Sequence, residues 1–127
     1  MEDSKLILKD EVYQLVGCAM EVLNGIGHGF HEKIYENALA HRLRKKGFRV
    51  KQQDRLKVFD EDGTVLGLLK TDLFVDNRQI CEIKGCSSLV DEHVAQLLGY
   101  LPASRFEHGL LINFGAPRLQ IKKYILT

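Results

Sequence analysis

Asp72 precedes the short apolar run Leu73-Phe74-Val75, and Glu82-Ile83-Lys84 closes the run that begins at Gln79. The polar segment Asp76-Asn77-Arg78 lies between them, so the stretch reads as a β-hairpin with a three-residue loop. Strand side chains alternate between faces. Pairing Val75 with Gln79 puts Asp72 opposite Glu82, on one face with Phe74, Ile80 and Lys84. Leu73 and Val75 then share the other face with Cys81 and Ile83. A two-residue loop would send the two carboxylates to opposite faces. Two carboxylates on one face can hold a hard divalent cation through oxygen. Lys84 on that face can orient a metal-bound water or neutralise charge developing on a phosphate. This outlines metal-assisted hydrolysis of a phosphodiester. The same residue types also make ordinary cross-strand ion pairs on a solvated sheet, so the rest of the chain must be weighed.

The elements that would position this hairpin follow in the order α-α-β-β-β-β-α-β-β. A first helix covers roughly Ser4 to Leu23, with Leu8, Val12, Leu15, Val16, Ala19 and Leu23 as its apolar stripe. Asn24-Gly25-Ile26-Gly27-His28-Gly29 ends it. A second helix runs from about His31 to Lys46 and stops at Gly47. Strands are expected at Phe48–Gln53 and Leu56–Phe59, then a turn at Asp62-Gly63. A strand from Thr64 runs on, bending at Gly67, toward Asp72. After Lys84 a helix spans about Leu89 to Leu101, with Ser87 or Ser88 as N-cap. His108–Asn113 and Gln120–Leu126 read as final strands.

Polar residues interrupt two helix faces. Glu32 lies three residues before Tyr35, on the same side as the stripe Tyr35, Leu39 and Leu43. It is either a first-turn acid favoured by the helix dipole or a third acidic group near Asp72 and Glu82. On the third helix Val90, Val94, Leu97, Leu98 and Leu101 form the core stripe, with His93, Gln96 and Tyr100 beside it. That second row is either a plain amphipathic boundary or a set of hydrogen-bonding groups facing a polar cleft. His93 has no histidine four residues on, which argues against zinc.

The 127 residues, 45% hydrophobic and 28% charged, suit one globular domain over 1–127. No apolar run is long enough for a transmembrane helix, and Met1-Glu2-Asp3-Ser4-Lys5 lacks a signal-peptide pattern. Three cysteines without CxxC spacing read as reduced thiols of the cytoplasm, with Cys18 and Cys81 in the core and Cys86 more exposed. A formal net charge of +1 is a weak footprint for a nucleic-acid binder. The basic stretch Arg42, Arg44, Lys45, Lys46, Arg49 and Lys51 reads as a solvated face complementing a helix C-terminus.

The segment Gly29-Phe30-His31-Glu32-Lys33-Ile34-Tyr35 resembles the signature of the GxxExxY proteins, a branch of the PD-(D/E)XK nuclease superfamily. Asp72, Glu82-Ile83-Lys84, His93-x-x-Gln96-Leu97-Leu98-x-Tyr100-Leu101 and Leu110-Leu111-Ile112-Asn113-Phe114-Gly115 extend the resemblance over about residues 8–127. It implies an α/β (α+β) fold: a restriction-endonuclease-like mixed β-sheet core flanked by helices. It implies that Asp72, Glu82 and Lys84 are a catalytic triad, with Glu32 as the acidic residue on the preceding helix. Gln96, and with it Tyr100, corresponds to the polar positions on the following helix. Thr71, not proline, precedes Asp72, and Lys70 stands where arginine is frequent.

Three functions follow as expectations. The first is a nuclease using Mg²⁺ or Mn²⁺, with DNA or RNA as partner. There Asp72, Glu82, Glu32 and the Ile83 carbonyl serve the metal, Lys84 and Gln96 serve catalysis, and Tyr35, His93 and Tyr100 serve the substrate. The second is a non-catalytic nucleic-acid-binding or protein-interaction module, which the near-neutral charge favours. The third is a structural homodimer joined through the first helix.

Overall fold

The computed structural model describes residues 4–126, with side chains from residue 9 onward, so Leu8 of the expected stripe lies outside the described side chains. Its elements are α1 (Ser4–Ile26), α2 (Glu32–Lys45), β1 (Val50–Phe59), β2 (Val65–Val75), β3 (Gln79–Lys84), α3 (Asp91–Ser104), β4 (His108–Asn113) and β5 (Gln120–Ile125). The five strands form one sheet in the order β1-β2-β3-β4-β5. Only β3 and β4 run parallel, and α3 is the crossover between them. The result is the expected mixed sheet flanked by helices.

Several boundaries differ from the sequence reading. Gly25 and Ile26 remain helical, and α1 ends at Gly27, whose φ of 79° only glycine adopts easily. The two strands expected between residues 48 and 59 are one, because pairing with β2 continues through Asp54↔Thr71 and Arg55↔Lys70. Helix α3 starts at Asp91, so neither Ser87 nor Ser88 is its N-cap. Val90 holds that position, and its N–H donates to His93 Nδ1 at 3.2 Å.

The hairpin alternation is as expected. Leu73, Val75, Cys81 and Ile83 point to one face, where they pack with Leu110 and Ile112 against Leu15, Cys18, Ala19 and Val22 of α1 and Tyr35, Leu39, Ala40 and Leu43 of α2. Phe74 and Ile80 point to the other, with Leu111, Leu56 and the α3 residues Leu97 and Leu101. Val90 and Leu98, expected in the α3 core stripe, are 46% and 44% exposed. The contact line of α3 runs through Val94, Leu97 and Leu101; Val90 precedes the helix and Leu98 lies a rotation of about 100° round from Leu97. Cys18 and Cys81 are buried and Cys86 is partly exposed, all three as free thiols. No helix among the described residues is long and apolar enough to cross a membrane.

The end of β3 is clamped by the segment after β4. Phe114 N–H donates to Lys84 O at 2.9 Å. Asn113, fully buried, accepts from Cys86 N and Gly115 N through Oδ1, and donates to Cys86 O and Gln120 Oε1 through Nδ2. Gly115 lies directly on the Gly85–Cys86 backbone, leaving no room for a Cβ. The Gly115→Ala protein should therefore lose about 1–3 kcal/mol of stability, the usual scale for overpacking. Denaturant melts measure it, and an unchanged midpoint would show that this clamp is not tight.

Candidate active site

The β2–β3 ladder pairs Val75↔Gln79, Phe74↔Ile80 and Leu73↔Cys81, then stops. The loop is Asp76-Asn77-Arg78, with Asp76 and Asn77 in the left-handed region and Arg78 N–H bonded to Val75 O. Beyond Leu73 a side chain replaces the backbone. Asp72 Oδ2 accepts from the Ile83 N–H at 2.7 Å, and Asp72 Oδ1 accepts from Gln53 Nε2 at 3.3 Å.

This brings Asp72 and Glu82 together. Glu82 is only 8% exposed. Burial first, then the charge and hydrogen-bonding contact of Asp72, pushes its carboxyl from an ordinary 4.5 up to about 9, while Lys84 pulls weakly the other way. Glu82 Oε1 is buried and has no hydrogen-bond partner. An orphaned carboxylate oxygen pressed against a second carboxylate fits an oxygen-seeking divalent cation. Among the described residues no three His, Cys, Asp or Glu side chains gather as a metal cage. The protein side of such a site is the carboxylate pair.

The flanking helices contribute unequally. On α3, Gln96 hydrogen-bonds Tyr100, whose hydroxyl is pushed up by burial and by the charges of Glu82 and Asp72. Tyr100 therefore lies within reach of the carboxylate pair, and the exposed Gln96 is joined to it through Tyr100. His93, in the same row, is used in the cap of its own helix. On α2, Glu32 Oε2 accepts from the Gly85 N–H at 2.9 Å, one residue beyond Lys84, so its carboxylate meets the strand end and is not gathered with the pair. Tyr35 is displaced from its expected substrate contact. It is 1% exposed, its hydroxyl donates to Gly27 O at 2.7 Å, and its ring stacks on Phe114 at 4.7 Å.

Two residues of the network escaped the sequence reading. Glu36, 3% exposed, holds Lys33 Nζ and Gln52 Nε2 through Oε2 and Gln53 Nε2 through Oε1. Gln53 sits mid-strand with φ 53°, a conformation that costs a non-glycine residue roughly 1–2 kcal/mol. Signals existed for both: Glu36 falls four residues after Glu32, and Gln52-Gln53 interrupts the strand alternation.

A family model described as the PD-(D/E)XK nuclease superfamily matches residues 9–124. The crystal structure of SSO0001 superposes with a TM-score of 0.56 at 19% identity, covering 97% of this chain and 62% of that one. That likeness concerns the fold alone, and this chain spans less than two thirds of the other's length. No curated protein matches significantly.

The raised Glu82 carboxyl has a pH signature. Between the ordinary carboxyl value and about 9, the folded protein keeps a proton that the unfolded chain has released. The stabilisation is complete below the ordinary value and declines as pH rises toward and through about 9. Metal-free protein should thus lose stability across this range, and Glu82→Gln should flatten the loss. Denaturant melts in a chelator at several pH values read it, and parallel profiles for the two proteins would contradict the assignment.

Proposed function

The chain belongs to the PD-(D/E)XK nuclease superfamily, and we propose that it is a metal-dependent nuclease of the GxxExxY branch, working as one domain on DNA or RNA phosphodiesters. The observation that carries this reading is the partnerless Glu82 Oε1, buried against Asp72 with Lys84 two residues along the same strand. Asp72, Glu82 and the Ile83 carbonyl would hold Mg²⁺ or Mn²⁺, and Glu32 would serve it through water from the strand end. When bound, the cation supplies a Lewis acid and a water of lowered pKa. Lys84 aligns the attacking water and stabilises charge on the phosphate. Gln96 orients Lys84 or a phosphate oxygen, and Tyr100 contributes a second hydrogen-bonding group on the same wall. The free cysteines fit a reducing cytoplasm. Exposed Tyr13 and Met20 on α1 offer the surface a homodimer would use.

The near-neutral net charge of +1 favours the alternative of a module that binds nucleic acid or protein without turnover. Metal dependence separates the two. Single- and double-stranded DNA and RNA incubated with Mg²⁺ or Mn²⁺ should be cleaved by the wild type. Lys84→Ala should cut about 10²–10³-fold more slowly, the scale of one lost electrostatic contact, yet keep its Mn²⁺ affinity, because lysine has no acceptor to offer a cation. Asp72→Asn should lose both. Wild-type cleavage by Lys84→Ala would remove the nuclease reading of Glu-x-Lys.

Saturating Mn²⁺ should also raise the melting temperature, by an amount set by RT ln(1 + [L]/Kd), about 2.7 kcal/mol at a hundredfold excess over Kd. Glu82→Gln should lose most of that gain. Equal insensitivity of both proteins to the ion would mean that the carboxylate pair holds no metal.

A further inference from the structure

We propose that Gln53 is a positioning residue whose amide ties the Asp72 carboxylate to Glu36 of α2 and fixes its orientation; the consequence for turnover rests on the nuclease reading above. Four described residues other than glycine have positive φ: Gln53, Asp76, Asn77 and Arg105. Asp76 and Asn77 form the hairpin loop and Arg105 caps α3, so a turn accounts for each. Gln53 stands in the middle of β1, where no turn requires it. Its neighbours pair normally, Gln52 with Leu73 and Asp54 with Thr71, and the skipped pair would be Gln53 with Asp72.

The conformation carries the side chain to two acceptors. Gln53 Nε2 donates to Glu36 Oε1 at 2.6 Å and to Asp72 Oδ1 at 3.3 Å, using the two hydrogens an amide nitrogen has. Glu36 is itself anchored by Lys33 and Gln52. With the Ile83 N–H on Oδ2, both oxygens of Asp72 are held. Without the amide, two acids would face each other with no donor between them, and one oxygen of Asp72 would be unrestrained. A strained residue persists where its surroundings over-determine it, and such residues cluster at functional sites.

Gln53→Gly in the full chain tests this, because glycine accepts the positive φ while removing the amide. The melting midpoint should change little, because release of the positive-φ strain offsets the donor lost to Glu36. The Ile83 amide should exchange with solvent about 10-fold faster or more in metal-free protein, read by NMR. The Kd for Mn²⁺ should rise about 10–100-fold, the usual effect of losing an outer-shell partner. A purely structural role for Gln53 predicts the reverse pattern: a lower midpoint with metal affinity intact. Unchanged Ile83 exchange and Mn²⁺ affinity would overturn the proposal. If the wild type cleaves no nucleic acid, the nuclease reading fails, while Ile83 exchange and the midpoint still decide the role of Gln53. Should Gln53→Gly not fold, Gln53→Asn gives the same readouts, since asparagine tolerates this backbone region but is one methylene too short to reach both carboxylates.

Discussion

The hydrogen bond from the Ile83 amide to Asp72 Oδ2 is the interaction on which the site depends. An ordinary hairpin would continue its backbone ladder past Leu73↔Cys81. Here a carboxylate takes the amide, so the β2–β3 ladder ends while β3 goes on pairing with β4 through Lys84↔Asn113. Asp72 is thereby held against the strand beside Glu82. The proximity that follows is unfavourable for two bare anions, and it adds to the burial that is the larger cause of the raised Glu82 carboxyl. A site that stores this repulsion is prepared for a cation, which would remove it.

A second constraint acts on the far end of the same strand. Lys84, Gly85 and Cys86 are gripped by Phe114, Gly115 and Asn113 from one side and by Glu32 from the other. Tyr35 joins this grip through its stack on Phe114. Several residues whose types advertise chemistry are therefore engaged in holding the strand end that carries Lys84. Tyr35 shows the distinction well. A tyrosine on a helix beside acidic residues is a reasonable substrate contact until burial and the Gly27 carbonyl account for its hydroxyl.

The polar network between α2 and β1 is the part with least support from local sequence rules. Burying Glu36 costs desolvation, and only a full set of donors offsets it. Lys33, Gln52 and Gln53 supply that set. The strained backbone of Gln53 belongs to the same arrangement, since a regular strand conformation there would turn its side chain away from one of the carboxylates.

The sequence by itself determined whatever depends on local periodicity. The three-residue hairpin loop, the faces of Leu73, Val75, Phe74, Ile80, Cys81 and Ile83, the apposition of Asp72 and Glu82, and the general order of elements all follow from period-two or 3.6-residue patterns with turn residues between them. Tertiary structure alone decided what depends on contacts between distant segments. It merged the two short strands into β1, because pairing with β2 overrides a polar interruption at Gln53-Asp54. It exposed Val90 and Leu98, because the sheet face under α3 accepts only one line of side chains. It sent Glu32 to Gly85 and made Gln53 the shared partner of Glu36 and Asp72, because a hydrogen bond across 17, 19 or 53 residues leaves no periodic trace in the chain.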